Sequence, residues 1–71
     1  MALVQYVNRL RINLACQLLM GERELPITEI CYAAGYNNIS NFNRQFLTQK
    51  GMPPSRFRVL MAENERAVQA A

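Results

Sequence analysis

The first part of the chain carries two apolar stripes at helical spacing. Large aliphatic residues that recur at intervals of three and four are typical of one helix face, and the broader stripe consists of Leu3, Val7, Leu10, Leu14 and Leu18. A narrower stripe lies about 100° around the same helix and consists of Val4, Ile12, Ala15 and Leu19. The pattern predicts a long helix from Ala2 to Met20. One stripe can pack on downstream elements, and the other either needs a partner or is wrapped by the same elements.

A second, shorter helical pattern begins after the polar hinge of residues 22–25. Pro26 stands at its start, where a missing backbone N–H costs nothing, and Gly35 can take the left-handed conformation that ends it. Cys31 lies where two helices are expected to cross closely, which favours a small packing side chain over a nucleophile. Tyr36 then returns an aromatic ring to the core. This order predicts the first helix and the turn of a helix-turn-helix.

The third helix is predicted from Ile39 to Lys50, after Asn37 and Asn38, which provide turn and N-cap chemistry. Phe42 and Phe46, four residues apart, form its buried ridge. With these phenylalanines facing inward, Arg44 falls almost diametrically opposite. The outward face around this arginine also contains Ser40, Asn41, Asn43, Leu47 and Thr48.

Gly51 ends the third helix, and Pro54 can open a fourth. Residues 62–71 are polar and alanine-rich and either extend that helix or fray. The predicted fold class is all-α, with a long N-terminal helix, a helix-turn-helix and a short C-terminal helix. We expect one domain with three segments, which are residues 1–21, residues 22–61 and a polar tail at 62–71.

Composition narrows the possible functions of this 71-residue chain. It has no histidine, which excludes a Ser-His-Asp triad, a Cys-His pair and a histidine-ligated metal site. Its two cysteines, Cys16 and Cys31, cannot close a zinc site alone and are expected to be structural, with a redox switch as the lesser alternative. No apolar run is long enough for a membrane span. We therefore expect a soluble, cytoplasmic protein that is not an enzyme and has no metal or cofactor.

The placement of charge is more informative than the net charge of +3. The segment from Ile30 to Ala62 contains Arg44, Lys50, Arg56 and Arg58 and no carboxylate. Such a block attracts an anionic partner, although solvated surface cations are a common alternative. Arginine suits the O6 and N7 of guanine, asparagine suits adenine, and serine can bond several base edges. The third helix therefore has the chemistry of a DNA-reading helix, unless its polar residues merely keep an amphipathic helix soluble.

A longer pattern of residues resembles the DNA-binding region of AraC/XylS-type bacterial transcription regulators. It runs from about Tyr6 to Arg58 and combines Arg11-Ile12, Ala15, Leu18-Leu19, Ile27, Ile30, Gly35-Tyr36, Phe42-Asn43-Arg44, Phe46, Gly51-Met52-Pro53-Pro54 and Phe57-Arg58. In that family two helix-turn-helix units are joined by a linker helix. The resemblance implies that residues 1–21 correspond to the linker helix and that the next segment corresponds to the second unit, without the first. The chain departs from the family pattern at Ile39, Leu47, Thr48 and Gln49.

The resemblance also implies a function and a set of site residues. The function is sequence-specific DNA binding in transcription regulation, with helix 39–50 in the major groove of double-stranded DNA. RNA polymerase or a second copy of the chain are further candidate partners, and any effector would act only through a separate domain. Base contacts are assigned to Ser40, Asn41, Asn43 and Arg44. Phosphate contacts are assigned to Arg11, Lys50 and Arg58.

A competing hypothesis belongs to a different class of protein. A small helical module could bind another protein, or a second copy of itself, without contacting DNA. The surface assigned to that role is the narrower stripe of the first helix, Val4, Ile12, Ala15 and Leu19.

Overall fold

Four helices make up the computed structural model, which describes residues 2–21 and 25–70, with side chains through residue 64. They are α1 (Leu3–Gly21), α2 (Ile27–Ala33), α3 (Ile39–Lys50) and α4 (Pro54–Ala70). Most of the predicted hinge, residues 22–24, lies outside the described residues. The all-α fold class is confirmed. The last helix is longer than expected, since it includes residues 62–70 of the predicted polar tail. The division into three segments stays a prediction.

The core lies where α1 crosses the helix-turn-helix, because α1 packs against all three other helices. Its buried residues come from the first three helices and the turn between α2 and α3: Ile12, Ala15, Leu19, Ile30, Cys31, Ala34, Tyr36, Phe42 and Phe46. Phe57 of α4 is half-buried and packs on this cluster. The predicted inward ridge of α3 and the packing role of Cys31 are therefore confirmed.

The assignment of the narrower α1 stripe to an external partner is wrong. Ile12, Ala15 and Leu19 are fully buried in the core, and only Val4 of that stripe is exposed. The broader stripe is the one that faces outward in part, since Leu3, Leu10 and Leu14 are exposed. The other helices therefore cover the narrower stripe, as in the second of the two alternatives that the sequence left open.

Two glycines have the left-handed backbone that the turns require. Gly35 has a φ of 99° and Gly51 has a φ of 76°. The backbone N–H of Gly35 donates to the carbonyl of Tyr32, and that of Gly51 donates to the carbonyl of Leu47. Both glycines therefore end a helix as predicted, and they fix the directions of α3 and α4.

Candidate nucleic-acid interface

The outward face of α3 carries the four residues predicted to contact bases. Ser40, Asn41, Asn43 and Arg44 are all exposed, whereas Phe42 between them is fully buried. The structure therefore brings these polar side chains together on one helix surface. Within the helix, the Cα atoms of Ser40 and Arg44 lie about 6 Å apart along the axis, given a rise of 1.5 Å per residue.

The N-terminal turn of α3 is held by a side-chain cap. The Oδ1 of Asn38 accepts a hydrogen bond from the backbone N–H of Asn41 at 2.9 Å. The backbone of Asn38 is extended, as expected for an N-cap residue. This contact uses the backbone N–H of Asn41 and leaves its amide side chain at the surface, next to Ser40.

A chain of aromatic rings fixes the rotation of α3. Tyr36 and Phe42 have ring centroids 5.4 Å apart, Phe42 and Phe46 are 5.9 Å apart, and Phe46 and Phe57 are 5.5 Å apart. All three pairs are tilted or edge-to-face, which are favourable arrangements for aromatic rings. Because the rings come from the turn, α3 and α4, they hold the polar face of α3 in a single orientation.

A groove of about 580 Å³ runs beside the outward face of α3. Asn43, Arg44 and Leu47 form one side of it. The other side comes from the starts of α2 and α4 and consists of Ile27, Pro53, Pro54 and Ser55. Pro54, the first residue of α4, is fully buried, so α4 begins packed against the fold beside this groove.

A second groove, of about 760 Å³, is lined by residues of α1 and α3. Lys50 and Arg9 both line it, together with the exposed residues Thr48 and Gln49. Arg9 was not among the predicted phosphate contacts. Arg9 comes to lie there because α1 packs against α3. The sequence pattern of α3 does not show which residues of α1 will lie beside it.

The guanidinium of Arg11 lies over a ring of the core. Its Cζ atom is 5.6 Å from the centroid of the Tyr36 ring, which is a cation–π contact. Burial raises the pKa of the Tyr36 phenol, and the charge of Arg11 opposes this effect. Arg11 is therefore half-buried and supports the turn, rather than extending freely into solvent.

Arg58 also makes a contact within the fold. One of its terminal nitrogens donates to the backbone carbonyl of Leu25, and its Nε is buried without a hydrogen-bond partner among the described residues. This contact ties α4 to the segment before α2. Of the three predicted phosphate contacts, only Lys50 is an exposed side chain.

The two thiols fit structural roles. Burial raises the pKa of Cys31 above its ordinary value of 9.0, which disfavours the reactive thiolate. Burial also raises the pKa of Cys16, although the charge of Lys50 opposes the shift. Among the described residues, the structure contains no group of potential ligands that could hold a metal ion. Within the same residues, no helix has the length and apolar content needed to cross a membrane.

Comparison with known proteins agrees with this geometry. The sequence model of a family described as "Helix-turn-helix domain" matches residues 1–59, which include α1, the helix-turn-helix and the start of α4. The chain belongs to the AraC-type helix-turn-helix family. Membership of this family identifies the AraC-type unit as a DNA-binding unit.

Three curated relatives of the AraC-type unit are bacterial proteins. The chain is 41% identical over 59 residues to the transcriptional activator RhrA of Rhizobium meliloti, and this match covers 82% of the chain and 19% of RhrA. It is 38% identical over 53 residues to the probable transcriptional regulator LumQ of Photobacterium leiognathi, covering 75% of the chain and 21% of LumQ. An uncharacterized HTH-type transcriptional regulator of Bacillus subtilis, YobQ, is 40% identical over 53 residues, covering 75% of the chain and 22% of YobQ.

The AraC-type unit thus spans about a fifth of the length of the curated relatives that it matches. No solved structure matches the chain.

Proposed function

We propose that the chain binds double-stranded DNA with α3 in the major groove, where Ser40, Asn41, Asn43 and Arg44 contact base edges. The observation that carries this proposal is the shared exposure of these four side chains on a helix whose opposite ridge is buried. Arg44 is the first candidate for a guanine, because a guanidinium can bond O6 and N7 together. Asn41 and Asn43 suit adenine, and Ser40 can bond several base edges.

We propose that the phosphate contacts come from the end of α3 and from α1 and α4. Lys50 is an exposed cation at the end of α3, and Arg9 shares the groove that it lines. Arg11 and Arg58 each have five N–H donors, and their contacts within the fold use only part of this capacity. We therefore retain both as phosphate contacts that also support the fold. These contacts position the protein without reading sequence.

The wider role rests on likeness to the relatives. We propose that the protein regulates transcription in the cytoplasm of a bacterium, with RNA polymerase or a second copy of the chain as candidate protein partners. Any effector would act through a separate domain. A non-catalytic role is supported by the lack of histidine and by the raised pKa values of both thiols.

The proposal is tested by fluorescence anisotropy of the chain with mixed-sequence duplex DNA over a range of salt concentrations. We expect affinity to fall steeply with salt, because phosphate contacts release counterions. Lys50→Ala should weaken binding to all sequences alike and make the salt slope shallower by about one unit. Gln49→Ala is the matched control, because it truncates a neutral exposed neighbour and should leave the slope unchanged.

Two results would contradict the proposal. One is the absence of binding even at low salt. The other is binding that does not depend on salt, which would point to contacts other than those with phosphates.

A further inference from the structure

One large apolar side chain lies on the polar face of α3. Leu47 is 51% exposed, whereas Phe42 and Phe46 are fully buried and Ile39 is half-buried. The structure describes every residue of α3, and Leu47 is the exposed one among the large apolar residues of this helix. Nine large apolar residues are exposed in the described part of the chain, and Leu47 is the one that lies on α3, among the polar residues of its outward face.

Leu47 is a neighbour of the residues proposed to contact bases. It lines the same groove as Asn43 and Arg44, which precede it by four and three positions. Residues at these spacings are adjacent on one helix surface. The Cα atom of Leu47 lies about 4.5 Å beyond that of Arg44 along the helix axis, so that the two side chains can reach neighbouring base pairs.

We propose that Leu47 is a specificity-determining residue that contacts the C5 methyl group of a thymine, next to the base contacted by Arg44. This inference rests on the proposed placement of α3 in the major groove. The thymine methyl is the apolar group that base pairs present there, and apolar side chains recognise it by contact. Arg44 beside Leu47, and the segment of cations without carboxylates around both, favour duplex DNA over an apolar protein surface as the occupant.

The size of the effect follows from the burial of one methyl group. Such burial contributes about 0.8 kcal/mol, which corresponds to about a fourfold change in affinity. Cytosine has no methyl group at this position and presents an amine instead of the O4 of thymine. We therefore expect Leu47 to favour thymine at one position of the binding site.

The test compares thymine with deoxyuridine, which pairs in the same way but lacks the methyl group. Duplexes that the wild-type chain prefers are first selected from a randomised library. Each selected thymine is then replaced singly by deoxyuridine, and dissociation constants are measured for the wild type and for Leu47→Ala. At one thymine, the replacement should weaken wild-type binding about fourfold and leave the affinity of Leu47→Ala unchanged.

A matched control is available on another helix. Leu10 is also 51% exposed, but it lies on α1, on the side away from the buried residues Ile12, Ala15 and Leu19. Leu10→Ala makes the same truncation and should retain the full response to deoxyuridine. Helical content measured by circular dichroism should be unchanged in both variants, because neither leucine belongs to the core.

The possible failures are distinguishable. If wild-type binding is salt-dependent and selective but no deoxyuridine replacement weakens it, or if Leu47→Ala responds as the wild type does, the inference about Leu47 is overturned and the proposed function stands. If the wild-type chain selects no duplex and shows no salt-dependent binding, both are overturned. Salt-independent self-association abolished by Leu47→Ala would identify Leu47 as a protein contact instead, and would also overturn the inference.

Discussion

Tyr36 donates a hydrogen bond from its phenolic oxygen to the Oδ1 of Asn8 at 2.8 Å, which joins the turn between α2 and α3 to α1. The two residues are 28 positions apart in sequence. Arg11, one turn further along α1, covers the ring of the same tyrosine. Polar residues of α1 therefore help to position the turn that precedes α3.

Removal of the Tyr36 hydroxyl tests this link. Tyr36→Phe keeps the buried ring but leaves Asn8 without its donor, so we expect a loss of about 1 kcal/mol in the free energy of unfolding. Urea denaturation followed by circular dichroism measures the change. Tyr6→Phe is the control, because Tyr6 is 51% exposed and should tolerate the change without measurable cost. Equal stability of the two variants would show that the hydrogen bond does not stabilise the fold.

A pair of glycine substitutions tests the backbone of the turn. Gly35 has a φ of 99°, and a Cβ atom there would lie 3.1 Å from the Nε of Arg11. Gly35→Ala should destabilise the fold by about 1–2 kcal/mol, mainly through the left-handed backbone that alanine disfavours. Gly21 lies at the end of α1, where an added Cβ atom would meet no described atom within 4 Å, so Gly21→Ala should be neutral or slightly stabilising.

Thermal denaturation of the two glycine variants gives the comparison directly. A lower melting temperature for Gly35→Ala alone is the expected result. If both alanines were tolerated equally, the turn would not depend on the left-handed conformation of Gly35.

The raised pKa values of buried groups predict that stability falls in alkaline solution. The pKa of Cys31 is raised above 9.0 and that of Tyr36 above 10.0, in both cases chiefly by burial. The folded state therefore holds these protons more tightly than the unfolded state does. Their contribution to the free energy of unfolding is fully present below the pKa values that the two groups have in the unfolded chain. It is lost as pH rises through the higher pKa values of the folded state.

Urea denaturation at a series of pH values measures this dependence. The free energy of unfolding should fall once pH exceeds the ordinary thiol pKa of 9.0, and Cys31→Ala should reduce the slope of that fall. An identical slope in the variant would show that Cys31 is not one of the groups responsible.

Local sequence signals predicted the helix-turn-helix closely. The residues that begin and end the helices affect only the neighbouring backbone, and they are Gly35, Asn38 and Gly51. The helix between Asn38 and Gly51 runs from Ile39 to Lys50, as predicted. The pair Phe42 and Phe46 then determines which face of α3 is outward, since both are fully buried. Local capping and periodicity are therefore sufficient to locate the candidate site on α3.

The role of α1 could not be predicted in the same way. It has two apolar stripes, and both have helical spacing, so the spacing does not determine which stripe packs on the remaining helices. In the structure the narrower stripe is buried except for Val4, and the leucine-rich stripe remains partly exposed. The inward contacts of Arg11 and Arg58 were also missed, since each joins residues far apart in sequence.

Selection from a randomised duplex library tests most directly whether Arg44 reads a base from α3. The wild type, Arg44→Ala and Arg56→Ala are each used to enrich duplexes, and the enriched sequences are compared. Arg56 is also an exposed arginine, but it lies on α4. We predict that Arg44→Ala loses preference at one base pair, worth about 1–3 kcal/mol, while Arg56→Ala retains the preference of the wild type. Retention of the full wild-type preference by Arg44→Ala would contradict the claim.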